Sequence, residues 1–220
     1  SIHSFPTRRS SDLSIGLALT PSPLTIMSTS APSNAAVVGG GLVGTLCAAM
    51  LASRGWSVTL FEGRPDPRLS QDARGRSINL ALSPRGIEAL RSVSEELAER
   101  VIREGVRMRG RMVHGRGKEA KRVGQDYGVY EEGEYISSIS RGLLGVYLLD
   151  HLDGLPKEGR GSVKVVFGTK LVEMDMRREQ GVSLTLKSRE RGEEKAVFDF
   201  VIGGDGAYSK VRREMMRGTR

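Results

Sequence analysis

The stretch that most constrains the fold is Ala35-Ala36-Val37-Val38, which runs straight into Gly39-x-Gly41-x-x-Gly44. A short apolar run that breaks at glycine reads as a buried strand. The residues that follow, Leu42–Arg54, are predicted to form a helix with a small-residue face. Strand, glycine turn and helix together describe the opening of a βαβ unit whose turn can face a ligand. Gly39 permits the tight turn, Gly41 lets a pyrophosphate approach the backbone, and Gly44 lets the helix lie close to the strand. The helix N-terminus contributes free N–H groups and the positive end of the helix dipole, both suited to phosphate. Glu62 ends the next predicted strand, Ser57–Glu62, 23 residues after Gly39. A carboxylate there can accept both hydroxyls of a ribose. These residues point to an adenine dinucleotide, and NAD and FAD share this opening.

Other features narrow the class. Ala35–Ser53 is nineteen uncharged residues long, near the length of a membrane span. The four glycines inside it favour strand, turn and helix instead, so no membrane span is expected in this chain. With 220 residues, 38% hydrophobic and 27% charged, the chain reads as a soluble globular domain, not a disordered one. A lone cysteine, Cys47, excludes an intrachain disulfide framework and a CxxC-type zinc site, and no metal is expected. The balance of 34 basic and 26 acidic residues gives +8, which favours anionic partners without choosing among nucleic acid, membrane and a phosphate-bearing cofactor. Arg100 to Arg122 holds nine lysines and arginines against two acids, mostly a solvated face. No aromatic interleaving or nucleic-acid motif accompanies it, so no nucleic-acid partner is expected.

The first 26 residues lack convincing periodicity, and Ser4–Leu13 (SFPTRRSSDL) resembles a translated sequencing adapter. Residues 1–26 are accordingly read as a non-native or disordered leader, with Met27 as the expected start and 27–220 as the domain. Within it, Pro84–Val93, Glu95–Glu104 and Leu143–Leu152 are predicted helical. Val106–His114 and Glu134–Ser140 are predicted extended, with Gly115–Asp126 loop-like between them. Val163–Phe167 and Lys170–Met176, the strand pair in VKVVFGTKL, precede Val182–Lys187 and a further buried strand, Phe198–Gly203. The fold class is α/β with a β-rich segment interrupting the second half.

Phe198-Asp-Phe-Val-Ile-Gly-Gly-Asp-Gly-Ala-Tyr-Ser209 resembles the DG motif of class A flavin-dependent aromatic hydroxylases, although Asp205-Gly206 alone is an ordinary turn signal. Gly75-Arg-Ser-Ile-Asn-Leu-Ala-Leu-Ser83, Met108-Arg-Gly-Arg-Met-Val-His114, Tyr127-Gly128 and Ile139-Ser-Arg141 resemble the kynurenine 3-monooxygenase family within that class. The resemblance runs from about Ala35 to the end of the chain. It implies an FAD-binding Rossmann-like domain of the glutathione-reductase/aromatic-hydroxylase type. It also implies hydroxylation of L-kynurenine to 3-hydroxykynurenine with NADPH and O2, on the route of tryptophan degradation that feeds NAD biosynthesis.

By the same resemblance Arg111 grips the substrate carboxylate and Tyr127 hydrogen-bonds to it. A guanidinium fork matches a carboxylate in two parallel bonds, and a phenol adds a third without a second charge. Val43 lies in the phosphate turn, and Phe61, Glu62, Gly63 and Arg64 surround the ribose. Ala81 meets the flavin side, Arg141 approaches the cofactor from the start of a helix, Leu171 lies near the adenine, and Asp205 is a further cofactor candidate. No residue is assigned as general acid or base. Family members are about twice this length and sit on the cytosolic face of the mitochondrial outer membrane through a C-terminal anchor. The chain is therefore expected to be a truncated piece without turnover of its own. Gly145 stands where the family usually has asparagine, and Gly154–Gly161 reads as a local insertion. Two other readings remain: a different FAD- or NAD(P)-dependent aromatic hydroxylase or oxidoreductase, and a non-catalytic dinucleotide-binding fragment.

Overall fold

The computed structural model describes residues 33–69, 78–115, 122–127, 135–178 and 181–218. The expected leader, residues 1–26, and the expected start at Met27 lie outside them. The opening apolar run forms strand β1 (Asn34–Val38), with Ala35, Ala36 and Val37 wholly buried. Helix α1 (Leu42–Ser53) follows the glycines and packs Ala48, Ala49 and Ala52 inward. Strand β2 (Ser57–Phe61) then pairs parallel to β1. The uncharged run is thus divided between a strand, a turn and a helix. Among the described residues no helix is long and apolar enough to cross a membrane.

The chain continues through β3 (Asn79–Leu82), α2 (Pro84–Arg91), α3 (Glu95–Glu104), β4 (Val106–Met108), β5 (Gly110–His114), β6 (Arg122–Asp126), β7 (Ile136–Ser140) and α4 (Arg141–Asp153). After these come β8 (Val163–Val166), β9 (Thr169–Arg178), β10 (Gly181–Ser188), β11 (Gly192–Phe198), β12 (Phe200–Gly203) and α5 (Lys210–Gly218). The central sheet is parallel in the order β12-β1-β2-β8. Its strand order reverses at β1, because β2 and β8 lie on one side and β12 on the other. Ligands of open α/β sheets bind beyond the carboxyl ends of the strands at such a reversal. A β9-β10-β11 antiparallel meander supplies the expected β-rich segment. Its residues Met174, Leu184 and Leu186 share a core with Ala36, Val38 and Phe61. Helix α1 and β8 close a second core over Val37, Val58 and Leu60. Helices α2, α3 and α4 with β7 form a third around Val101 and Leu148.

Four expectations are corrected. Arg122–Asp126, read as part of a loop, is a strand paired antiparallel with β5. Every β6 residue is exposed, so there is no buried face to impose an alternating pattern. Val106–His114 is two strands, because β4 pairs with β7 while β5 pairs with β6. The strands flanking Phe167-Gly168 do not pair, since β8 joins the parallel sheet and β9 the meander. Phe198–Gly203 is not one strand either: Phe198 ends β11 and Phe200 begins β12. Between them the Asp199 N–H donates to Asn34 Oδ1 at 2.8 Å, and the Asn34 N–H donates to Asp199 Oδ2 at 2.8 Å. That reciprocal pair breaks the extended run and sets β12 beside β1. The strands β3 and β11 and the helix α5 are further elements beyond those the sequence pattern marks. β3 is four residues without a fully buried face, and β11 is exposed over most of its length.

Candidate functional site

The glycine turn sits at the carboxyl ends of β1 and β2. Gly39 adopts φ +104° and donates its N–H to the Phe61 carbonyl at 2.7 Å. A Cβ there would fall 2.6 Å from the carbonyl carbon of Gly204, so backbone angle and space both demand glycine. A Cβ on Gly44 would lie 1.9 Å from the Gly39 carbonyl oxygen, which is how closely α1 rides on the turn. Gly41 differs. Its φ of −74° and ψ of 178° suit any residue, and a Cβ there would meet nothing within 4 Å. Neither the backbone nor a protein neighbour requires glycine at 41. The room beside it opens on a cleft at the N-terminus of α1, a helix with no acidic residue in its first turn.

Glu62 stands at the same cleft, fixed through its backbone: its N–H donates to Val166 O at 2.9 Å and its carbonyl accepts from the Thr169 N–H at 2.9 Å. The carboxylate is buried. Oε2 accepts from the Gly40 N–H at 2.7 Å, and Oε1 from the Arg64 N–H at 2.8 Å and Arg64 Nε at 2.9 Å. Burial pushes the Glu62 carboxyl upward, but the bonds from Arg64 and Gly40 outweigh it and hold the group below the ordinary carboxylate range. The carboxylate is therefore ionised and oriented in advance, as an acceptor for hydroxyl donors must be. Gly40 belongs to this arrangement, since a Cβ there would lie 2.9 Å from Glu62 Cβ. The pattern GxGxxG assigns that position no role, although Gly40 stands in the sequence as the middle of three consecutive glycines.

The cleft encloses about 420 Å³, and its lining includes Gly41, Glu62, Arg64 and Arg141 from the expected set. Pro65, Pro67 and Leu149 also line it, and no motif marks them. Arg141 begins α4, its N–H bonded to Ile78 O at 3.2 Å. The remaining candidates are distributed differently. Val43 is exposed on the first turn of α1, whereas the Phe61 ring is buried against Phe198 at 5.9 Å. A Cβ on Gly63 would lie 2.8 Å from Lys170 Cγ, part of a flexible side chain. Ala81 is exposed on β3 opposite Ser138, and Leu171 is a core residue on β9.

Asp205 lies beneath the turn. Its Oδ1 accepts from Ser209 Oγ at 2.6 Å, and its Oδ2 accepts the N–H groups of Lys210 at 2.6 Å and Val211 at 3.2 Å. The carboxylate thus caps α5, while Gly204 donates its N–H to Val38 O at 2.7 Å. A Cβ on Gly204 would come within 3.0 Å of Gly44 Cα. The two glycine motifs, distant in sequence, are one interlocked structure.

Arg111 and Tyr127 share the β5–β6 ladder. Arg111 pairs with Gln125 in register, and its Nε donates to Gln125 Oε1 at 3.0 Å. The Tyr127 N–H extends the ladder by donating to Arg109 O at 3.1 Å. Strand alternation sets Arg111, Gln125 and Tyr127 on one face.

Residues 33–218 match the FAD binding domain family. The chain belongs to that family. Kynurenine 3-monooxygenase of Candida albicans is 40% identical to this FAD-binding domain over 186 residues, which cover 84% of the chain and 38% of the relative. The Sus scrofa kynurenine 3-monooxygenase is 40% identical over 185 residues, covering 84% and 36% respectively. The chain therefore spans well under half the length of these curated relatives. Among solved structures, p-nitrophenol 4-monooxygenase from Pseudomonas putida superposes with a TM-score of 0.66 at 22% identity, covering 84% of the chain and 43% of that protein. A 2-methyl-3-hydroxypyridine-5-carboxylic acid oxygenase gives 0.63 at 21%, covering 84% and 42%. These two likenesses establish the fold.

The FAD-binding domain fits its cofactor in the geometry of its own residues. The open side of Gly41 and the α1 N-terminus suit a pyrophosphate. The ionised Glu62 suits a ribose, and Arg64 and Arg141 add positive charge to the same cleft.

Proposed function

We propose that this FAD-binding domain serves an FAD-dependent monooxygenase that hydroxylates L-kynurenine to 3-hydroxykynurenine, with NADPH and O2 as co-substrates. The observation that carries the cofactor half is Gly41, a glycine whose backbone and protein surroundings would accept a side chain and whose open side faces the cleft. Support for the substrate half comes from the kynurenine 3-monooxygenase relatives, together with the shared face of Arg111 and Tyr127.

Bound FAD supplies the transfer of electrons from NADPH and the activation of O2. The chain's residues bind and orient. The α1 N–H groups and Gly41 hold the pyrophosphate, and Glu62 accepts the ribose hydroxyls. Arg141 contributes charge from α4. Arg111 presents a planar fork to the amino-acid carboxylate of the substrate, steadied by Gln125, and the Tyr127 phenol adds a neutral donor. Asp205 acts from behind by tying the turn after Gly204 to the start of α5. The location that goes with this reading is the cytosolic face of the mitochondrial outer membrane.

The test uses the protein translated from its native transcript. FAD titration should quench flavin fluorescence at saturable stoichiometry, and L-kynurenine should speed NADPH oxidation where p-hydroxybenzoate does not. Absence of FAD uptake sinks the cofactor assignment; equal stimulation by both compounds sinks the substrate assignment.

A further inference from the structure

We infer that Arg68 is a positioning residue for the cofactor, a clamp that sets the spacing between the segment following Glu62 and helix α4. The inference rests on the FAD reading above. Much of the cleft's lining comes from those two segments: Glu62, Arg64, Pro65 and Pro67 from one, Arg141 and Leu149 from the other. Arg68 joins them. On its own side Nε lies 3.0 and 3.1 Å from the two Asp66 oxygens, and Nη2 lies 2.7 Å from Oδ2. Asp66 Oδ1 also accepts the Arg68 N–H at 2.9 Å, fixing the turn from which the side chain departs. On the other side Nη1 donates to Asp150 Oδ1 at 3.4 Å and to Asp153 Oδ2.

The α4 end of the clamp is itself braced. Asp150 Oδ2 accepts from Arg100 Nη1 at 3.4 Å, and the Arg100 guanidinium stacks 3.8 Å above the Tyr147 ring. Lys157 Nζ stands 3.9 Å from Asp153 Oδ1. Three carboxylates thus face three cations in one network. Its centre is sheltered, with the Arg68 side chain 24% exposed and that of Asp66 12%, so salt screens it less than an open surface pair. Backbone bonds of the loop run away from α4, from the Gly168 N–H to Arg64 O at 3.1 Å and from the Leu69 N–H to Asp66 O at 3.2 Å. Pro65 and Pro67 fix φ on either side of Asp66, so the loop moves as a unit and Arg68 governs where that unit stands relative to α4. A planar guanidinium meets two sides with separate edges, one of them bidentate, which a compact lysine ammonium cannot match.

The clamp predicts that ligand affinity follows the crossing contacts. In Arg68→Met, and separately in the double variant Asp150→Asn/Asp153→Asn, which retains the Asp66–Arg68 pair, the dissociation constants for FAD and for ADP should rise together by about three- to tenfold. ADP probes the half of the cofactor nearest Glu62. Arg68→Lys should recover only part of the loss, and the deficit should narrow as salt is raised toward about 1 M. Circular dichroism at the binding temperature checks that each variant is folded. Folded variants with the FAD and ADP affinities of the parent overturn the clamp, leaving Arg68 a purely structural ion pair. A parent protein that takes up no FAD overturns the cofactor reading itself.

Discussion

Two of the glycines in the turn make opposite predictions. A Cβ on Gly44 would sit 1.9 Å from the Gly39 carbonyl oxygen, while ordinary contact begins at 3.4 Å. Helix α1 and the turn would therefore have to separate by about 1.5 Å, the difference between those two distances. Both are backbone, and Gly39 is wedged against Gly204 on its far side, so no rotamer change relieves the overlap. Overpacking costs about 1–3 kcal/mol, and a backbone collision belongs at the upper end, about 3 kcal/mol. For a domain of this size each kcal/mol lowers Tm by about 2–4 °C, so Gly44→Ala should melt roughly 6–12 °C below the parent. Gly41→Ala meets no protein atom within 4 Å and adopts angles open to alanine. Its cost is confined to the N-cap preference for glycine, under about 1 kcal/mol, or less than about 4 °C. Its methyl group instead occupies the pyrophosphate's approach, so FAD should bind at least about tenfold more weakly. Calorimetric melting and FAD titration of both variants separate the effects. A Gly41→Ala protein that binds FAD like the parent, or a Gly44→Ala protein that melts like it, refutes this reasoning.

Glu62→Gln should weaken FAD binding and also change the acid response. Because the folded Glu62 carboxyl lies below its ordinary value, its stabilising contribution is present above the unfolded pKa of about 4.3. It is lost as pH falls through the lower folded value. The stability gap between parent and Glu62→Gln, read from urea unfolding, should accordingly be full at neutral pH and shrink as pH falls below the unfolded value. Asp205→Ala should cost about 1–3 kcal/mol in the same assay, because it strips the N–H groups of Lys210 and Val211 of their acceptor. Ser94→Ala, removing the acceptor for the Leu97 N–H at 3.1 Å at the start of α3, should cost about 1 kcal/mol and leave FAD affinity unchanged.

What could be read in the sequence follows from where burial imposes a pattern. The β1 run, the glycines and α1 are legible because sheet, turn and helix each constrain residue type within twenty positions. Glu62 is legible through its spacing from Gly39. Strand β6 is not, because an exposed two-stranded ladder is held by backbone bonds to which side-chain pattern is blind. The break at Asp199 depends on Asn34, 165 positions away, and no local window contains both. Likewise Arg68 looks like any surface arginine until Asp150 and Asp153 are brought to it by α4. The role of Gly40 is hidden for a similar reason: its N–H serves Glu62 across the turn, while its residue type merges with a glycine run.

The interlock of Gly39 with Gly204 also has a kinetic meaning. Strand β1 finds β2 soon after both are synthesised, but its other neighbour, β12, is the last strand of the sheet. Pairings of such long sequence separation are slow to close, since the intervening loop must first surrender its freedom. On the ribosome, the glycine turn lacks this backing until Gly204 has emerged and docked against Gly39 and Gly44. Until then the half-built sheet, with β1 lacking its β12 neighbour, presents an open strand edge of the kind that pairs with other chains.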